Sequence, residues 1–347
     1  MRSLRAWALG LLCGVAACAQ ASDGPETIVP VTRLSRIQQR GALNCGVEAV
    51  VPGFVEVDSA GRYRGLDVDI CRALAAAIVG SADNIRFIAT ATIADFRAND
   101  EIDLVSRRLT WELQREAPLG ILFGPVTFYD GQTFLVSPSL RARAAEDLAG
   151  HDVCVAGGTV FESRLTSLFA GRHLPLRKVI VDSAHQYDDI AQALATGRCP
   201  AYTGDESDLG VIRSRLRSLG SFLILPTHIS KEPLAPLVRE DDTTLFNAMK
   251  WTIFALIEAE ELKVTAANVD AMRASPDVDV QRLLGVVPGN GKALGLDELW
   301  AARAISAVGN YGEMFERNVG TGSAVRLERG LNRLQRDGGL MFAMPLR

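Results

Sequence analysis

The chain has 347 residues, 48% of them hydrophobic and 22% charged, a composition typical of a soluble globular protein with one large or two ordinary domains. Its formal net charge is only −4, and its Lys and Arg residues form no continuous block. Nucleic acid and anionic membrane surfaces are therefore not expected as partners.

Residues 1–21 have the pattern of a secretory signal peptide. Two arginines precede an apolar run from Ala6 to Ala17 and the small-residue motif Ala19-Gln20-Ala21. This run is too short to span a membrane. The alternative is a lipoprotein signal, Val15-Ala16-Ala17-Cys18, in which Cys18 would be lipidated and retained. Either signal predicts export to the periplasm, with the mature protein free or tethered only by lipid.

Strands and helices are predicted to alternate along residues 34–133. The predicted elements are a helix (34–41), a strand from 42 that breaks at Pro52-Gly53, a helix (65–80), a strand (84–89), a short helix (93–101) and a third strand (102–106). The second helix shows an apolar stripe at Leu66, Ile70, Leu74 and Ile78, which is typical of a helix laid on a sheet. This β-α-β-α-β order predicts a mainly parallel sheet.

A second alternation follows, and the chain then returns to complete the first one. The later predicted elements are strands at 132–138, 153–156, 176–182, 199–205 and 221–226, helices at 160–169, 187–197, 209–220, 244–262, 298–318 and 325–339, and a returning crossover at 229–240. We therefore predict an α/β protein with two lobes, 34–133 plus 232–290 and 138–230, joined by two crossover hinge strands. Residues 291–347 form a helical C-terminal extension. A cleft between hinged lobes is a preferred place for a small ligand.

Four cysteines follow the signal region. An even number in an exported protein favours disulfide bonds over metal ligation. Pairing Cys45 with Cys71 and Cys154 with Cys199 would keep each bond within one lobe, although the sequence leaves other connectivities open. Zinc is the weaker alternative, since there is no C-x-x-C spacing and the four histidines have no common register. We expect neither a metal nor a cofactor.

Polar groups collect where the strand at 102–106 ends. That strand leads into Ser106-Arg107-Arg108, and open α/β sheets place their ligands at such strand ends. Thr110 can cap the following turn, and Arg115 can reach back over the strand end to offer a fork of donors to a carboxylate. The alternative is that Arg107, Arg108 and Arg115 are surface charges paired with Glu112 and Glu116.

Two strand ends in the second lobe complete a candidate site. Gly157-Gly158-Thr159-Val160 precedes a helix, whose first amides can bind an anion, although a plain tight turn is the alternative. Asp205 ends another strand and suits an ammonium group, or else it caps the next helix. Arg115, the amides of Gly158, Thr159 and Val160, and Asp205 together match the two charged groups of an α-amino acid.

Sequence motifs of one known family extend over most of the mature chain. They are LNCGV, VPGF, GLDVDICRALAAAI, SRxxTW followed by Arg115, VTFYDGQTFLV, VCVxxGT, GRC, ISKEPL, WTxxALIxAEE, NVDxM and VGNYGExFERNxGxGS. In these motifs the chain resembles the periplasmic amino-acid-binding proteins of bacterial ABC uptake systems (solute-binding protein family 3), most of all their general L-amino-acid-binding branch. The resemblance implies two α/β lobes that enclose an L-amino acid and deliver it to a membrane permease, which a separate ATPase drives.

The resemblance also implies roles for individual residues. Arg115 would bind the α-carboxylate, with Thr159 and its neighbouring amides completing that subsite. Thr110 would bind polar groups of the ligand, and Asp205 would hold the α-amine. We expect the protein to act as a monomer.

The chain departs from the family pattern at the candidate pocket. Where the branch reads S-R-N-T-T-W, residues 106–111 read S-R-R-L-T-W, which introduces Arg108. Val160 replaces the last threonine of a Gly-Thr-Thr turn, and Glu48 replaces a small polar residue. Arg108 and Glu48 either pair with each other and leave less room for a side chain, or select acidic or basic ligands respectively, or point into solvent.

An enzyme on the same scaffold, such as a cyclohexadienyl dehydratase or a lytic transglycosylase, is the rival class. Glu48 would then act as a general acid whose pKa is raised by enclosure. No Ser-His-Asp, Cys-His or metal-ligand set converges on the predicted cleft, and we expect the histidines to lie away from its polar ends. We therefore expect a binding protein with no catalytic residue.

Overall fold

The computed structural model describes residues 31–181 and 187–347, in which strands and helices alternate. The strands are β1 (Leu43–Val47), β2 (Glu56–Val57), β3 (Tyr63–Arg64), β4 (Ile85–Ala89), β5 (Leu104–Val105), β6 (Ile121–Phe123), β7 (Phe128–Asp130), β8 (Gln132–Val136), β9 (Asp152–Ala156), β10 (Arg177–Val181), β11 (Ala201–Asp205), β12 (Leu223–Ile224), β13 (Glu232–Leu234) and β14 (Leu237–Arg239). The predicted signal peptide, with Cys18, lies outside the described residues, as does His185.

The helices account for most of the remaining regular structure. They are α1 (Arg33–Arg40), α2 (Leu66–Val79), α3 (Ile93–Ala98), α4 (Leu113–Glu116), α5 (Val160–Gly171), α6 (Tyr187–Ala195), α7 (Glu206–Arg215), α8 (Thr243–Glu261), α9 (Val269–Met272), α10 (Val278–Leu283), α11 (Asn290–Leu294), α12 (Trp300–Val308) and α13 (Tyr311–Asn318). The longest of them, α8, has 19 residues. None of the helices in the described part of the chain has the length and apolar content needed to cross a membrane.

Two separate five-stranded sheets form the framework of the protein. The first has the order β4-β1-β5-β14-β6 and the second β10-β9-β11-β8-β12. In each sheet three neighbouring strands are parallel, whereas β14 and β8 are antiparallel to their neighbours. The predicted two-lobed α/β fold is confirmed. The antiparallel strands β14 and β8 were not predicted. Each follows a hinge strand directly, without the crossover helix that a parallel connection requires.

The two connections between the sheets pair with each other. β7 and β13 form an antiparallel ribbon in which Asp130 lies opposite Glu232. The chain leaves the first sheet along β7, builds the second sheet, and returns along β13 to β14. An isolated bridge between Thr110 and Leu234 attaches the polar bend after β5 to this ribbon. The two predicted crossover strands are confirmed.

Helix α2 shows why the first lobe folds as the pattern predicts. Its stripe, Leu66, Ile70, Leu74 and Ile78, is at most 7% exposed. The helix packs against β1 on one side and against α8 and α12 on others. Gly65 precedes it with φ +127°, and a Cβ there would lie only 2.0 Å from the carbonyl oxygen of Phe54, so only glycine fits.

The predicted helix over 325–339 is absent. This segment instead contains two single turns of 3-10 helix, Gly330–Asn332 and Gln335–Asp337. Left-handed backbone at Arg326, Gly330 and Gly338 interrupts any continuous helix. The preceding helices α12 and α13 were expected within 298–318 and are present, and their apolar faces belong to the hydrophobic core of the first lobe.

Each lobe contains one disulfide bond. Cys45 of β1 is bonded to Cys71 of α2, and Cys154 of β9 is bonded to Cys199, which precedes β11. These are the two pairings that the sequence favoured. Both bonds tie a strand of a sheet to a neighbouring element of the same lobe.

Candidate functional site

Arg108 connects the two lobes. Its Nη1 group lies 2.6 Å from Oδ1 of Asp208 and donates to the hydroxyl of Ser207 at 3.0 Å, and both partners belong to α7 of the second lobe. Its Nε group lies 3.4 Å from Oε2 of Glu48 in the first lobe. The guanidinium also lies 5.3 Å from the ring centroid of Phe54, a cation–π contact. The Arg108 side chain is only 11% exposed and does not point into solvent.

Glu48 is paired with two arginines. Besides Arg108, it has Arg107 as a partner, with Nη2 at 3.7 Å from its Oε1. Arg107 in turn donates to the carbonyls of Thr90 and Ala91, which fixes its position beside the strand ends of the first sheet. Of the alternatives for Glu48 and Arg108, their mutual pairing is therefore the one that the structure contains.

Asp205 is a buried carboxylate without a full set of partners. It ends β11 and occupies the N-cap position of α7, yet its side chain makes no capping hydrogen bond. Its Oδ1 atom is buried and has no hydrogen-bond partner among the described residues. Burial raises the pKa of Asp205 well above its usual value, and the nearby carboxylates of Asp130, Asp208 and Glu232 raise it further. Such a group is suited to receive a cation.

Glu232 of the hinge ribbon is contacted by residues of both lobes. The Thr110 hydroxyl donates to its Oε2 at 2.8 Å, the Ser230 hydroxyl donates to its Oε1 at 2.8 Å, and the guanidinium of Arg164 is ion-paired with it. The prediction that Thr110 caps the following turn is wrong. The short helix α4 begins after Glu112, without a side-chain cap, because the Thr110 hydroxyl is engaged by the hinge.

Arg115 lies in the short helix α4 and is partly exposed. Its Nε group lies 3.0 Å from Oε1 of Glu112, and its Nη1 group donates to the carbonyl of Thr110 at 3.1 Å. The surface pairing proposed as the alternative is thus present for Arg115, whereas Arg107 and Arg108 are paired with Glu48 instead. A guanidinium has five N–H donors, and these two contacts leave capacity for a carboxylate.

The start of α5 is partly occupied by the chain's own carboxylate. The Gly158 amide donates to Oε2 of Glu162 at 2.8 Å, and Glu162 also pairs with Lys178 at 2.6 Å. Thr159 is the N-cap, since its hydroxyl accepts from the amide of Glu162 and donates to a carbonyl of β9. Val160 is 52% exposed, so the first amides of the helix lie at the surface of the second lobe.

The structure adds polar residues that sequence reasoning missed, namely Asp208, Ser207, Tyr187, Arg164 and Glu232. Ser207 and Asp208 lie two and three residues after Asp205, so their nearness to a strand end was a usable signal. Glu232 lies within the motif ISKEPL. Tyr187 donates to Oδ1 of Asp208 at 2.9 Å, and no sequence signal indicated it.

One histidine was placed wrongly. His228 was expected to lie away from the polar strand ends, but its Nε2 lies 2.7 Å from Oε2 of Glu206, the residue after Asp205. The hydrogen bond with Glu206 raises the pKa of His228. Within residues 31–181 and 187–347, no group of His, Cys, Asp and Glu side chains is arranged to hold a metal ion.

Two α/β lobes, two crossover strands and a group of charged side chains between the lobes define a two-lobed solute-binding protein. No family model matches the chain. It is 41% identical to the general L-amino acid-binding periplasmic protein AapJ of Rhizobium johnstonii, over 91% of this chain and 93% of that protein. It is 39% identical to the glutamate/glutamine/aspartate/asparagine-binding protein BztA of Rhodobacter capsulatus, over 90% and 93%.

A solved structure agrees with these relatives. A periplasmic binding protein of an ABC transporter from Brucella ovis, with glutathione bound, has a TM-score of 0.79 and 37% identity, covering 91% of this chain and 99% of that one. The chain therefore belongs to the periplasmic amino-acid-binding proteins of bacterial ABC transporters, and the resemblance found in its sequence motifs is confirmed.

Proposed function

We propose that this protein captures L-amino acids between its two lobes and delivers them to the membrane permease of an ABC transporter, driven by a separate ATPase. The observation that carries the proposal is the buried Oδ1 atom of Asp205, which has no partner among the described residues. Arg115, whose guanidinium has donors left over from its contacts with Glu112 and Thr110, supplies the second charged group. The ammonium group of an amino acid would pair with Asp205, and its carboxylate would pair with Arg115. The ligands named for the relatives AapJ and BztA support this class of ligand.

Each candidate residue has a role in this proposal. Arg115 binds the α-carboxylate together with the amides at Gly158, Thr159 and Val160. Thr110 contacts the ligand's polar groups, Asp205 binds the α-amine, and Arg108 and Glu48 border the ligand's side chain. Because Glu162 already holds the Gly158 amide, the amides of Thr159 and Val160 are the better placed of the three.

The domain organisation and location belong to the same proposal. We assign residues 34–133 plus 232–290 to one lobe, 138–230 to the other, 291–347 to a C-terminal extension, and 1–21 to a signal peptide, with lipidation of Cys18 as the alternative. The protein is then exported to the periplasm and acts as a monomer without a cofactor.

Capture proceeds by closure of the lobes on the hinge. A ligand that contacts both lobes stabilises the closed form more than the open one and shifts the population toward it. The bonds from Arg108 to Asp208 and Ser207 join the lobes directly, so they form part of the closed state. Delivery to the permease would reverse this closure.

We further propose that the protein does not catalyse a reaction. Glu48 was the candidate general acid of the enzyme alternative. Its carboxylate is engaged by Arg107 and Arg108, which supports a binding role for this part of the cleft and not proton donation to a substrate.

A thermal-shift screen tests the proposal directly. The mature protein, freed of bound ligand by mild unfolding and refolding, is mixed with the common L-amino acids, with dicarboxylates and with prephenate. Ligands that bind the native state raise its unfolding midpoint, so we expect shifts with L-amino acids that disappear in Asp205→Asn. If no amino acid shifts the midpoint, the proposal is wrong. Consumption of prephenate would instead assign the cleft to an enzyme.

A further inference from the structure

Four charged side chains are joined by ion pairs between the two lobes. We call Glu48, Arg107, Arg108 and Asp208 the cleft ion cluster. Its ion pairs are Arg108 with Asp208 at 2.6 Å, Arg108 with Glu48 at 3.4 Å and Arg107 with Glu48 at 3.7 Å. Two positive and two negative charges balance, so the cluster is formally neutral. It is also enclosed, because none of the four side chains is more than 21% exposed.

The cluster borders the proposed site for the ligand's backbone. Asp208 lies three residues after Asp205 in α7, and Arg108 lies two residues before Thr110. The charges of Asp208 and Arg108 both affect Asp205, the first raising and the second lowering its pKa. Phe54 covers the Arg108 guanidinium, and its ring makes an edge contact with Phe128 of the hinge strand β7 at 5.3 Å. In the proposed binding mode, with the ligand's backbone held at Asp205 and Arg115, the side chain of the bound amino acid extends toward this cluster.

We propose that Arg108 determines specificity by selecting L-amino acids with uncharged side chains. An acidic side chain would add a third negative charge beside Glu48 and Asp208, and a basic one would add a third positive charge beside Arg107 and Arg108. Neither would find a counter-charge in the cluster that is not already paired, and enclosing a charge without a counter-charge of its own is costly. An uncharged side chain leaves every ion pair intact. This inference rests on the proposed function and names the ligand class for the same cleft.

Two reciprocal variants test the inference. In Arg108→Gln, Asp208 loses its cation and the cleft becomes more negative. In Asp208→Asn, Arg108 keeps free donors and the cleft becomes more positive. Binding of alanine, serine, leucine, aspartate, glutamate, lysine and arginine is measured by titration calorimetry on the refolded protein. The unaltered protein should bind the uncharged amino acids at least about tenfold more tightly than the charged ones.

The variants should shift that profile in opposite directions. The affinity of Arg108→Gln for lysine and arginine should rise at least about tenfold, and the affinity of Asp208→Asn for aspartate and glutamate should rise by as much. Arg86→Gln is the matched control, because Arg86 forms an exposed ion pair with Glu101 at 3.5 Å outside the cleft, and it should leave the profile unchanged. The unfolding midpoint of each ligand-free variant shows that it is folded, and should one variant not fold, the other still gives a result.

Two results would overturn the inference while leaving the proposed function intact. One is an unaltered protein that binds the charged amino acids as tightly as the uncharged ones, or more tightly. The other is a folded variant, Arg108→Gln or Asp208→Asn, whose profile matches that of the unaltered protein. If neither the unaltered protein nor any variant binds an amino acid, the proposed function itself is overturned, and the inference with it.

Discussion

Asp205 combines a proposed binding role with a cost to the stability of the ligand-free protein. Its pKa is raised by burial and by neighbouring carboxylates, so the folded state holds a proton that the unfolded chain releases above about pH 4. Stability should therefore fall as the pH rises from about 4 through the raised pKa. Function requires the ionised form, since only a carboxylate pairs with an ammonium group.

Asp205→Asn should separate these two effects. Without ligand, the variant should unfold at a higher temperature than the unaltered protein near pH 8, and the difference should shrink toward about pH 4, because the ionisation penalty is gone. With ligand, the variant should show no shift. Thermal unfolding across this pH range, with and without amino acids, measures both. A variant that is less stable at pH 8 would contradict the raised pKa.

Arg115 should matter for binding far more than for folding. Arg115→Ala removes the charge-assisted partner of the ligand carboxylate and should weaken binding by about 3 kcal/mol, whereas its partly exposed pair with Glu112 contributes only about 0–1 kcal/mol to stability. Titration calorimetry and urea unfolding measure the two quantities. Arg115→Lys keeps the positive charge but loses the forked pair of donors, so its affinity should lie between those of Arg115→Ala and the unaltered protein. Equal losses in affinity and stability would assign Arg115 a merely structural role.

At the scale of elements, the two disulfide bonds should each hold one lobe together. The Cys154–Cys199 bond closes a loop with a sequence separation of 45 and the Cys45–Cys71 bond one of 26. Replacing either pair by serines should lower the free energy of unfolding by about 2–4 kcal/mol, because the unfolded chain is no longer constrained. Urea unfolding of the double-serine variants measures the loss, and a reducing agent should then have less effect on them than on the unaltered protein.

Elements with a strong local pattern could be predicted from the sequence. Helix α2 combines a regular apolar stripe with glycines at both ends, and its predicted extent agrees with Leu66–Val79. The segment 325–339 has less regular apolar spacing and forms no continuous helix, because left-handed backbone at Gly330 and Gly338 interrupts it and tertiary contacts hold it in another conformation. The guanidinium of Arg329, for example, donates to the carboxylate of Glu260 and to the carbonyl of Asn332. Local spacing in the sequence does not reveal the contact with Glu260.

The same limit applies to the candidate site. The residue types at strand ends indicated Arg108, Arg115 and Asp205, because strand ends are local features. The partner of Arg108 is 100 positions away in the other lobe, so no spacing rule could pair it with Asp208. Charge alone left three outcomes open for Arg108 and Glu48, and only the packing of the lobes decides between them.

At the scale of the whole molecule, the segment after α13 connects the two lobes a third time. A Cβ at Gly53 of the first lobe would lie 2.9 Å from a methyl of Val325, and one at Gly210 of α7 would lie 2.7 Å from another methyl of the same residue. Arg213 of α7 also donates to the carbonyl of Arg326 at 2.5 Å. Because α7 carries Asp208 and follows Asp205, this packing positions the second-lobe side of the cleft.

A pair of glycine variants tests that connection. In Gly210→Ala the new methyl group would lie 2.7 Å from atoms of both Val325 and Leu327, so α7 or the C-terminal segment must shift. Gly171 ends α5, and a methyl group added there would meet no atom of the described residues within 4 Å. Gly171→Ala is therefore the matched control in another helix of the same lobe. Both substitutions add one methyl group, and they differ only in the atoms that this methyl group contacts.

The two substitutions should change the unfolding free energy in opposite directions. Gly171→Ala should gain up to about 1 kcal/mol in unfolding free energy, since alanine favours a helix more than glycine does. Gly210→Ala should lose about 1–3 kcal/mol through overpacking and should also weaken amino-acid binding, because α7 carries Asp208. Urea unfolding and titration calorimetry measure the two effects. If Gly210→Ala is as stable as Gly171→Ala and binds normally, the C-terminal segment does not position α7, and closure depends on the two hinge strands alone.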